Sequence, residues 1–267
     1  MVEIFENIRK IYTFHKPCEA LSGYVDFFAE SSVGQTKRYI KGDHFSVKMF
    51  SSFTPTFYIN LGNAYTISVG GRHYFIGAHE DILILRSSIV ERFNTPADNI
   101  FTVKFNPGCL EPFLPVKQVF LSGQVISLKQ ILPPQLLQQI KQPLTFNKRI
   151  QLMQNFLLSN LRKKEDHYLD FVKEAIALYA RSDMQLSNNL LAEKMFTTSK
   201  TICRYFNNVI GTSPRKYFSV MRVRKALTAY VNGSKPFIPY HYGYYDMSHF
   251  YKDVTKFTGQ KLTTVIL

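Results

Sequence analysis

The clearest pattern of hydrophobic and polar positions lies between Asn189 and Leu227. Five apolar residues recur there at helical spacing and form one stripe: Ile202, Tyr205, Phe206, Val209 and Ile210. This spacing predicts an amphipathic helix. Thr198 offers a hydroxyl at the N-cap, and Gly211 stops the helix. The opposite face carries small, polar or basic residues: Ser199, Lys200, Thr201, Cys203, Arg204 and Asn207.

A shorter amphipathic helix precedes this one. Leu190, Leu191 and Ala192 open it, and Phe196-Thr197 forms a tight turn between the two helices. Two helices joined by a short turn, with a donor-rich polar face on the second, are typical of a helix-turn-helix. The pattern therefore predicts a unit that reads DNA.

A long helix is predicted to follow from Ser213-Pro214 to about Tyr230, because proline is favoured at the first helical position. Its candidate buried residues are Tyr217, Phe218, Met221, Val223, Leu227 and Tyr230. Its basic residues are expected on the surface: Arg215, Lys216, Arg222, Arg224 and Lys225. Asn232-Gly233 is expected to end it.

A second helix-turn-helix is predicted after the long helix. Ser234 can cap a short helix that ends at Gly243, and Asp246 can cap the next one, which ends at Gly259. The apolar stripe of that last helix is Phe250, Val254 and Phe257. Lys252 then stands 48 residues after Arg204, at the equivalent place.

The first part of the chain, to about residue 120, is strand-like in sequence. Short β-branched and aromatic runs are separated by Gly, Asn and Pro, and they cover 57–61, 65–69, 73–76, 82–85 and 100–105. Such runs predict hairpins in a sandwich or small barrel. From about Pro133 the period becomes helical, and the charged residues 162–166 suggest a linker. We therefore predict an α+β chain with a β-rich domain with trailing helices over 1–160 and an all-α domain over 161–267.

Charge and composition narrow the choice of partners. The formal net charge is +14, and the segment from Lys194 to Lys235 holds nine basic residues and no acidic one. A basic surface on a helix-turn-helix favours nucleic acid. No apolar run reaches the ~18 residues of a membrane span, and the first ten residues lack the apolar core of a signal peptide. Together with three scattered cysteines, Cys18, Cys109 and Cys203, this predicts a reduced, cytoplasmic protein.

Catalytic and metal-binding patterns are missing from the sequence. His15, His44, His73, His79 and His167 share no ligand spacing, and His79-Glu80 lacks a second histidine four residues after the first. Ser87-Ser88 has no nucleophile-elbow context. We therefore expect no enzyme activity, no metal and no cofactor.

The segment from residue 167 to 262 resembles the AraC/XylS family of bacterial transcription regulators. The resemblance rests on LLAEKMFTTSKTICRYFNNVIGTSPRKYFSVMRVRKA, residues 190–226, and on GYYDMSHFYKDVTKFTG, residues 243–259. It implies two helix-turn-helix units bridged by a long helix. More weakly, TPTFYINLGNAY, residues 54–65, and VKFNPGCLEPFL, residues 103–114, resemble the cupin-like sensor domains of some members.

The resemblance implies which residues contact DNA. In the first unit, Lys200, Thr201, Cys203 and Arg204 would face the major groove, flanked by Ser199 and Asn207, while Thr198 would hold a phosphate. In the second unit, Met247, Ser248, Tyr251 and Lys252 take the matching places, although Met247 and Tyr251 can instead pack on the neighbouring helix. Lys and Arg suit guanine N7 and O6.

One position departs from the family pattern. An Ile-Ala pair is usual in the first helix of the second unit, and here Ile238-Pro239 replaces it. A proline one turn inside a helix removes a donor and costs ~3 kcal/mol. We therefore expect this helix to be short, 3₁₀-like or distorted, and the first unit to dominate specificity.

The sequence is best interpreted as a one-component transcription regulator that binds double-stranded DNA and recruits or occludes RNA polymerase. The β-rich domain would sense a small-molecule effector or form a homodimer. Two alternatives stay open at this point. One is a ligand-binding β-barrel enzyme, and the other is a non-DNA interaction protein whose second unit is degenerate.

Overall fold

The computed structural model describes residues 6–162, 166–233 and 236–262. The chain divides into two compact units, Met1–Met49 with Phe53–Lys164, and Phe50–Ser52 with Glu165–Leu267. We call the first the β-rich unit and the second the helical unit. The α+β fold class is confirmed, because antiparallel sheets in the first are followed by helices in the second.

The β-rich unit contains a six-stranded and a four-stranded antiparallel sheet. The six-stranded sheet has the order β1-β2-β9-β4-β7-β10, with β1 Tyr12–His15, β2 Val25–Ser31, β4 Pro55–Asn60, β7 Ile82–Leu85, β9 Ile100–Phe105 and β10 Val125–Ser127. The four-stranded sheet has the order β3-β8-β5-β6, with β3 Phe45–Met49, β8 Val90–Asn94, β5 Tyr65–Val69 and β6 Arg72–Ile76. All five predicted runs are strands.

One apolar core lies between the two sheets. It joins residues such as Phe27 and Ile84 of the larger sheet to Ile67 and Val90 of the smaller one. A second core lies on the other face of the six-stranded sheet. Strands β4, β7 and β9 are buried on both faces, and this explains why their sequences are continuous apolar runs.

Two helices cover the outer face of the six-stranded sheet. They are α2 Pro134–Ile140 and α3 Phe146–Asn160, and they bury Leu137 and Met153 in the second core. Their presence confirms the change to a helical period after Pro133. A smaller helix, α1, spans Val33–Tyr39, and 3₁₀ turns cover Glu6–Lys10, Glu19–Leu21, Gln118–Leu121 and Leu128–Gln130.

Arg149 fixes the turn between α2 and α3. Its guanidinium donates to the carbonyl oxygens of Ile140, Gln142 and Leu144 and forms an ion pair with Glu30 at 3.2 Å. The carbonyls at the end of a helix have no intrahelical partner, so this buried arginine supplies one.

The helical unit contains five helices in its described residues. These are α4 His167–Arg181, α5 Asn188–Lys194, α6 Ser199–Val209, α7 Pro214–Asn232 and α8 Met247–Thr258. Asp166 is the N-cap of α4 and accepts hydrogen bonds from the Tyr168 and Leu169 amides. Residues 163–165 of the predicted linker and the predicted cap Ser234 lie outside the described residues. Among the described helices, none is both long and apolar enough to cross a membrane.

The short first helix of the second helix-turn-helix is a 3₁₀ turn, Pro239–Tyr242, which ends at Gly243 with φ 72°. The expectation of a short, 3₁₀-like helix is confirmed. The expectation that Pro239 stands one turn inside the helix is wrong, because Pro239 is the first residue of the turn and Ile238 is its N-cap. At that position a proline removes no hydrogen bond.

Candidate nucleic-acid interface

The first helix-turn-helix is built by α5, a four-residue connection, Met195–Thr198, and α6. Ser187 caps α5 by accepting from the Leu190 amide at 3.2 Å, and Thr198 caps α6 by accepting from the Thr201 amide at 3.2 Å. The predicted N-cap and apolar stripe of α6 are confirmed, since Ile202 and Phe206 are fully buried.

Aromatic contacts hold α6 against its neighbours. The Tyr205 ring lies edge-on to Tyr168 and Phe171 of α4, with ring centres 4.8 and 4.9 Å away. The Phe206 ring contacts Phe218 of α7 at 5.3 Å. These contacts fix the orientation of α6, so its opposite face is presented to solvent as a rigid surface.

That face carries the residues predicted to contact DNA. Thr198, Lys200, Arg204 and Asn207 are exposed, while Ser199, Thr201 and Cys203 are half-buried. The structure therefore brings the seven side chains together on one side of α6, with the two cations one helical turn apart.

Several of these groups already have partners within the face. The Ser199 hydroxyl donates to Asn189 Oδ1 at 2.8 Å, and the Asn207 amide donates to Cys203 Sγ at 3.5 Å. The Thr198 and Thr201 hydroxyls are 3.1 Å apart. The Arg204 guanidinium lies 5.3 Å from the centre of the Tyr205 ring. Such contacts orient the side chains before any partner arrives.

The second helix-turn-helix presents a corresponding face on α8. Asp246 caps this helix by accepting from the His249 amide at 2.7 Å, and Phe250 and Val254 are fully buried. Ser248, Tyr251 and Lys252 are exposed, whereas Met247 is half-buried. A hydrogen bond to Tyr251 raises the pKa of the Tyr230 phenol on α7. Tyr251 therefore also takes part in packing α8 on α7.

An ion pair fixes α8 on the long helix. Arg222 of α7 donates to Asp253 of α8 at 2.9 Å, and its guanidinium lies 4.7 Å from the centre of the Tyr244 ring. Burial, with the neighbouring Asp253 carboxylate, raises the pKa of the Tyr244 phenol. The placement of α8 on α7 thus depends on a charged contact that is half-buried.

Equivalent positions of the two helix-turn-helix motifs are separated by a constant number of residues. The N-caps Thr198 and Asp246 are 48 residues apart, as are Arg204 and Lys252. The same offset places His249 opposite Thr201, although the sequence reading did not include His249. It is exposed, and its ring lies 5.1 Å from that of Tyr244. The 48-residue offset, applied to every position, was the signal that could have found it.

The predicted basic surface of α7 is smaller than expected. Arg215 and Lys216 are exposed, but three other cations are engaged within the helical unit. Arg222 pairs with Asp253, and Lys225 pairs with Asp183 at 3.1 Å. Arg224 is 4% exposed and donates to the carbonyl oxygens of Phe50 and Ser51. The expectation that all five cations lie on the surface is wrong for Arg224.

The buried positions predicted for α7 are confirmed for Tyr217, Phe218, Val223 and Leu227, whereas Met221 and Tyr230 are half-buried.

No group of three or more His, Cys, Asp or Glu in the described part of the chain could hold a metal ion. The His73 ring stacks on Phe93, with ring centres 5.8 Å apart.

Comparison with known proteins places a family domain on this surface. Residues 191–265 match the family model described as a helix-turn-helix domain. No curated protein sequence matches the chain.

The chain is also similar to several solved structures. A 1.65 Å structure of ToxT from Vibrio cholerae has 10% identity and a TM-score of 0.49, and the match covers 84% of this chain and 98% of that one. Wild-type ToxT of Vibrio cholerae strain SCE256 bound to an unsaturated fatty acid has 12% identity, a TM-score of 0.46 and coverage of 84% and 93%. The AraC-like transcriptional activator CuxR has 13% identity, a TM-score of 0.23 and coverage of 85% and 90%.

Because these identities and scores are low, the assignment rests on the matched domain and on the two repeated units within it. Each unit has a capped recognition helix with an exposed polar face, and a long helix joins them. The chain is therefore a DNA-binding transcription regulator with a helix-turn-helix domain at residues 191–265.

Proposed function

We propose that α6 reads the operator in the major groove and that its Lys200, Thr201 and Arg204 contact base edges. The observation that carries this proposal is the exposed, donor-rich face of a capped helix whose other face is fixed by aromatic packing. The free amides at its N-terminus, together with Thr198, would hold a phosphate. Ser199, Cys203 and Asn207 border the contact and orient it.

The second unit contributes less to specificity. Its face offers Ser248 and Lys252 where the first helix-turn-helix has Lys200 and Arg204, so it carries one Lys or Arg at these positions instead of two. Tyr251 also hydrogen-bonds to Tyr230, and Met247 is half-buried. If both recognition helices bind one DNA face, they enter successive major grooves about 34 Å apart.

The experiment that tests this reading is selection from a genomic DNA fragment library, followed by titration across salt. Arg204→Ala should lose roughly 1–3 kcal/mol of discrimination between the selected and a scrambled site. Arg38→Ala removes an exposed arginine from the β-rich unit and serves as the matched control. Weak binding that is equal for all fragments and unaffected by Arg204→Ala would refute specific reading.

The β-rich unit is proposed to bind a small-molecule effector between its sheets. Arg92 is 1% exposed there and forms an ion pair with Asp98 at 3.1 Å. The centres of the Tyr12, Tyr58 and Tyr65 rings lie 5.4–5.8 Å from its guanidinium carbon. Burial raises the pKa of the Asp98 carboxyl and lowers that of the Arg92 guanidinium. The surroundings therefore disfavour both charges, despite their pairing.

Several polar atoms of this cluster lack a hydrogen-bond partner among the described residues. They are Arg92 Nε and Nη1, Asp98 Oδ1, Asn94 Oδ1 and the Tyr65 hydroxyl. Unpaired buried polar atoms are costly and call for an explanation. A small ligand that both donates and accepts hydrogen bonds would satisfy them.

Thermal unfolding with a panel of hydroxylated and carboxylated metabolites tests the effector proposal. A binding compound should raise the Tm of the wild-type chain and leave that of Arg92→Met unchanged. Equal shifts in both proteins would exclude this cluster as the binding site.

Homodimerisation is the second mode of control that we propose for this unit. Phe75 and Phe93 both pair with Thr66 in the four-stranded sheet and are 74% and 39% exposed. Sedimentation analysis should show a dimer that Phe75→Ser weakens. A monomer in both proteins would exclude this mode.

These elements describe a regulator, and we propose no catalytic activity, metal or cofactor for it. It would act in the cytoplasm, where chromosomal DNA is read, by recruiting or occluding RNA polymerase. An effector must then favour one arrangement of the protein over another, because a ligand with equal affinity for both shifts nothing.

A further inference from the structure

Two aromatic side chains at the recognition helices are almost wholly exposed. Among the large apolar side chains of the described residues, Phe196 at 99% and Tyr245 at 91% have the highest exposure, followed by Phe75 at 74%. Phe196 stands two residues before the N-cap of α6, and Tyr245 stands directly before the N-cap of α8. Both aromatics therefore mark the N-terminal end of a recognition helix.

The fold accounts for the backbone of Phe196 but not for its exposed ring. Its φ of 50° belongs to the turn that ends α5, where the Phe196 amide donates to the Glu193 carbonyl oxygen and the Thr197 amide donates to the Ala192 carbonyl oxygen, both at 3.0 Å. Glycine or asparagine is the usual residue at such a position, so the turn does not require an aromatic side chain. The ring is 99% exposed and therefore adds no burial to the fold.

In the second helix-turn-helix, the exposed aromatic residue stands at a different position. At the 48-residue offset Phe196 corresponds to Tyr244, but Tyr244 is 1% exposed and packs on Phe250. The exposed ring is instead that of the next residue, Tyr245. The feature that both units retain is thus the exposed ring beside the N-cap, not the sequence position.

In a docked helix-turn-helix, the N-terminal residues of the recognition helix lie closest to the base edges and the adjoining backbone. We propose that Phe196 and Tyr245 pack against deoxyribose and thymine methyl groups at the edge of the major groove, one aromatic in each unit. This inference rests on the proposed DNA reading by α6 and α8.

The surroundings favour DNA over a protein partner. The residues nearest Phe196 in the sequence with exposed charge on its C-terminal side are Lys200 and Arg204. No acidic residue occurs between Lys194 and Lys225. A protein partner would need one apolar patch, whereas a duplex that meets two equivalent helices accounts for an aromatic at each.

The absence of tryptophan from the chain allows a direct test. Phe196→Trp and Tyr245→Trp each introduce a single tryptophan at the proposed contact, and Phe120→Trp places one at a 70% exposed site of the β-rich unit. With the selected operator duplex bound, acrylamide quenching should decrease for the first two variants and stay unchanged for the third. Full quenching at positions 196 and 245 in the complex would refute the contact.

Affinity provides a second measurement. Phe196→Asn keeps a residue that tolerates the left-handed region, so loss of folding cannot explain its effect, and Tyr245→Ser tests the other unit. Each should weaken operator binding roughly five- to tenfold, as expected for loss of an apolar contact. The slope of log affinity against log salt should not change, since no charge is removed. Phe120→Ser is the control for loss of an exposed ring.

The outcomes separate the two proposals. Failure of the wild-type chain to select any duplex would refute the proposed function itself. Selective wild-type binding with unchanged affinity in Phe196→Asn and Tyr245→Ser would refute only the aromatic contacts, and these rings would then be sought at a protein interface.

Discussion

At Asp81, burial raises the pKa of the carboxyl, whereas the ion pair and the hydrogen bonds of the side chain lower it. Its side chain is 1% exposed, lies 2.9 Å from Lys141 Nζ and accepts a hydrogen bond from the Asn60 amide at 2.9 Å. Desolvation nevertheless prevails over these partners and raises the pKa of the carboxyl above its ordinary value of 3.8. The ion pair links the end of α2 to the sheet, but burial of the ionised carboxylate is unfavourable in free energy.

Stability should therefore depend on pH through Asp81. A carboxyl pKa raised by folding means that the folded chain binds the proton more readily, so this group favours folding most below pH 3.8 and less as the pH rises through the folded pKa. The free energy of unfolding of the wild type, taken relative to that of Asp81→Asn, should fall as the pH rises from about 3.5 to 7.

Urea unfolding at a series of pH values measures this difference. Asp43→Asn, which removes an exposed carboxylate, should leave the pH profile unchanged. A wild-type advantage over Asp81→Asn that grows with pH would show that the ion pair prevails over desolvation.

At the scale of elements, the position of a proline decides its effect. Pro239 would break a helix from its interior, but it stands at the first position of a 3₁₀ turn. Pro214 holds the same position in α7. At that position the missing amide is not needed, and the fixed φ restricts the unfolded chain.

Pro239→Ala should therefore lower the free energy of unfolding by less than about 1 kcal/mol. Removal of an interior proline would instead be expected to stabilise the helix by ~3 kcal/mol. Thermal unfolding distinguishes these cases, with Pro214→Ala as the matched variant. A large gain in Tm for Pro239→Ala alone would mean that the turn is a strained helix.

At the scale of the whole molecule, charge is divided between DNA binding and internal structure. The net charge is +14, yet Arg222, Arg224 and Lys225 have partners inside the helical unit. Cations that neutralise phosphates set the salt dependence of binding. Internally paired cations contribute to folding instead.

Two arginines on α7 should separate these roles. Arg215→Ala should reduce the slope of log affinity against log salt by about 0.9 if Arg215 meets a phosphate, and change stability by less than about 0.5 kcal/mol. Arg222→Ala should leave the slope unchanged and lower stability on the order of 1 kcal/mol, because Asp253 loses its partner. The reverse pattern would place Arg222 at the DNA and Arg215 in the fold. Salt-dependent binding curves and urea unfolding of both variants provide the measurements.

The sequence by itself determined the elements whose signals are local. The caps Thr198, Ser213 and Asp246, the stripe of α6 and the five strand segments depend on spacing within a few residues, and all are present in the structure. The polar face of α6 follows from the same spacing, and most of the candidate site was therefore predictable.

Only the tertiary structure decided which residues meet across the chain. Asp253 is 31 residues from Arg222, and β9 lies between β2 and β4 although it is far from both in sequence. The exposure of Phe196 and Tyr245, and the burial of Arg92, likewise depend on what packs around them. The spacing of residues along the chain shows which side chains share a face of a helix or strand. Their burial and their charge partners are set by contacts between segments, which no local pattern encodes.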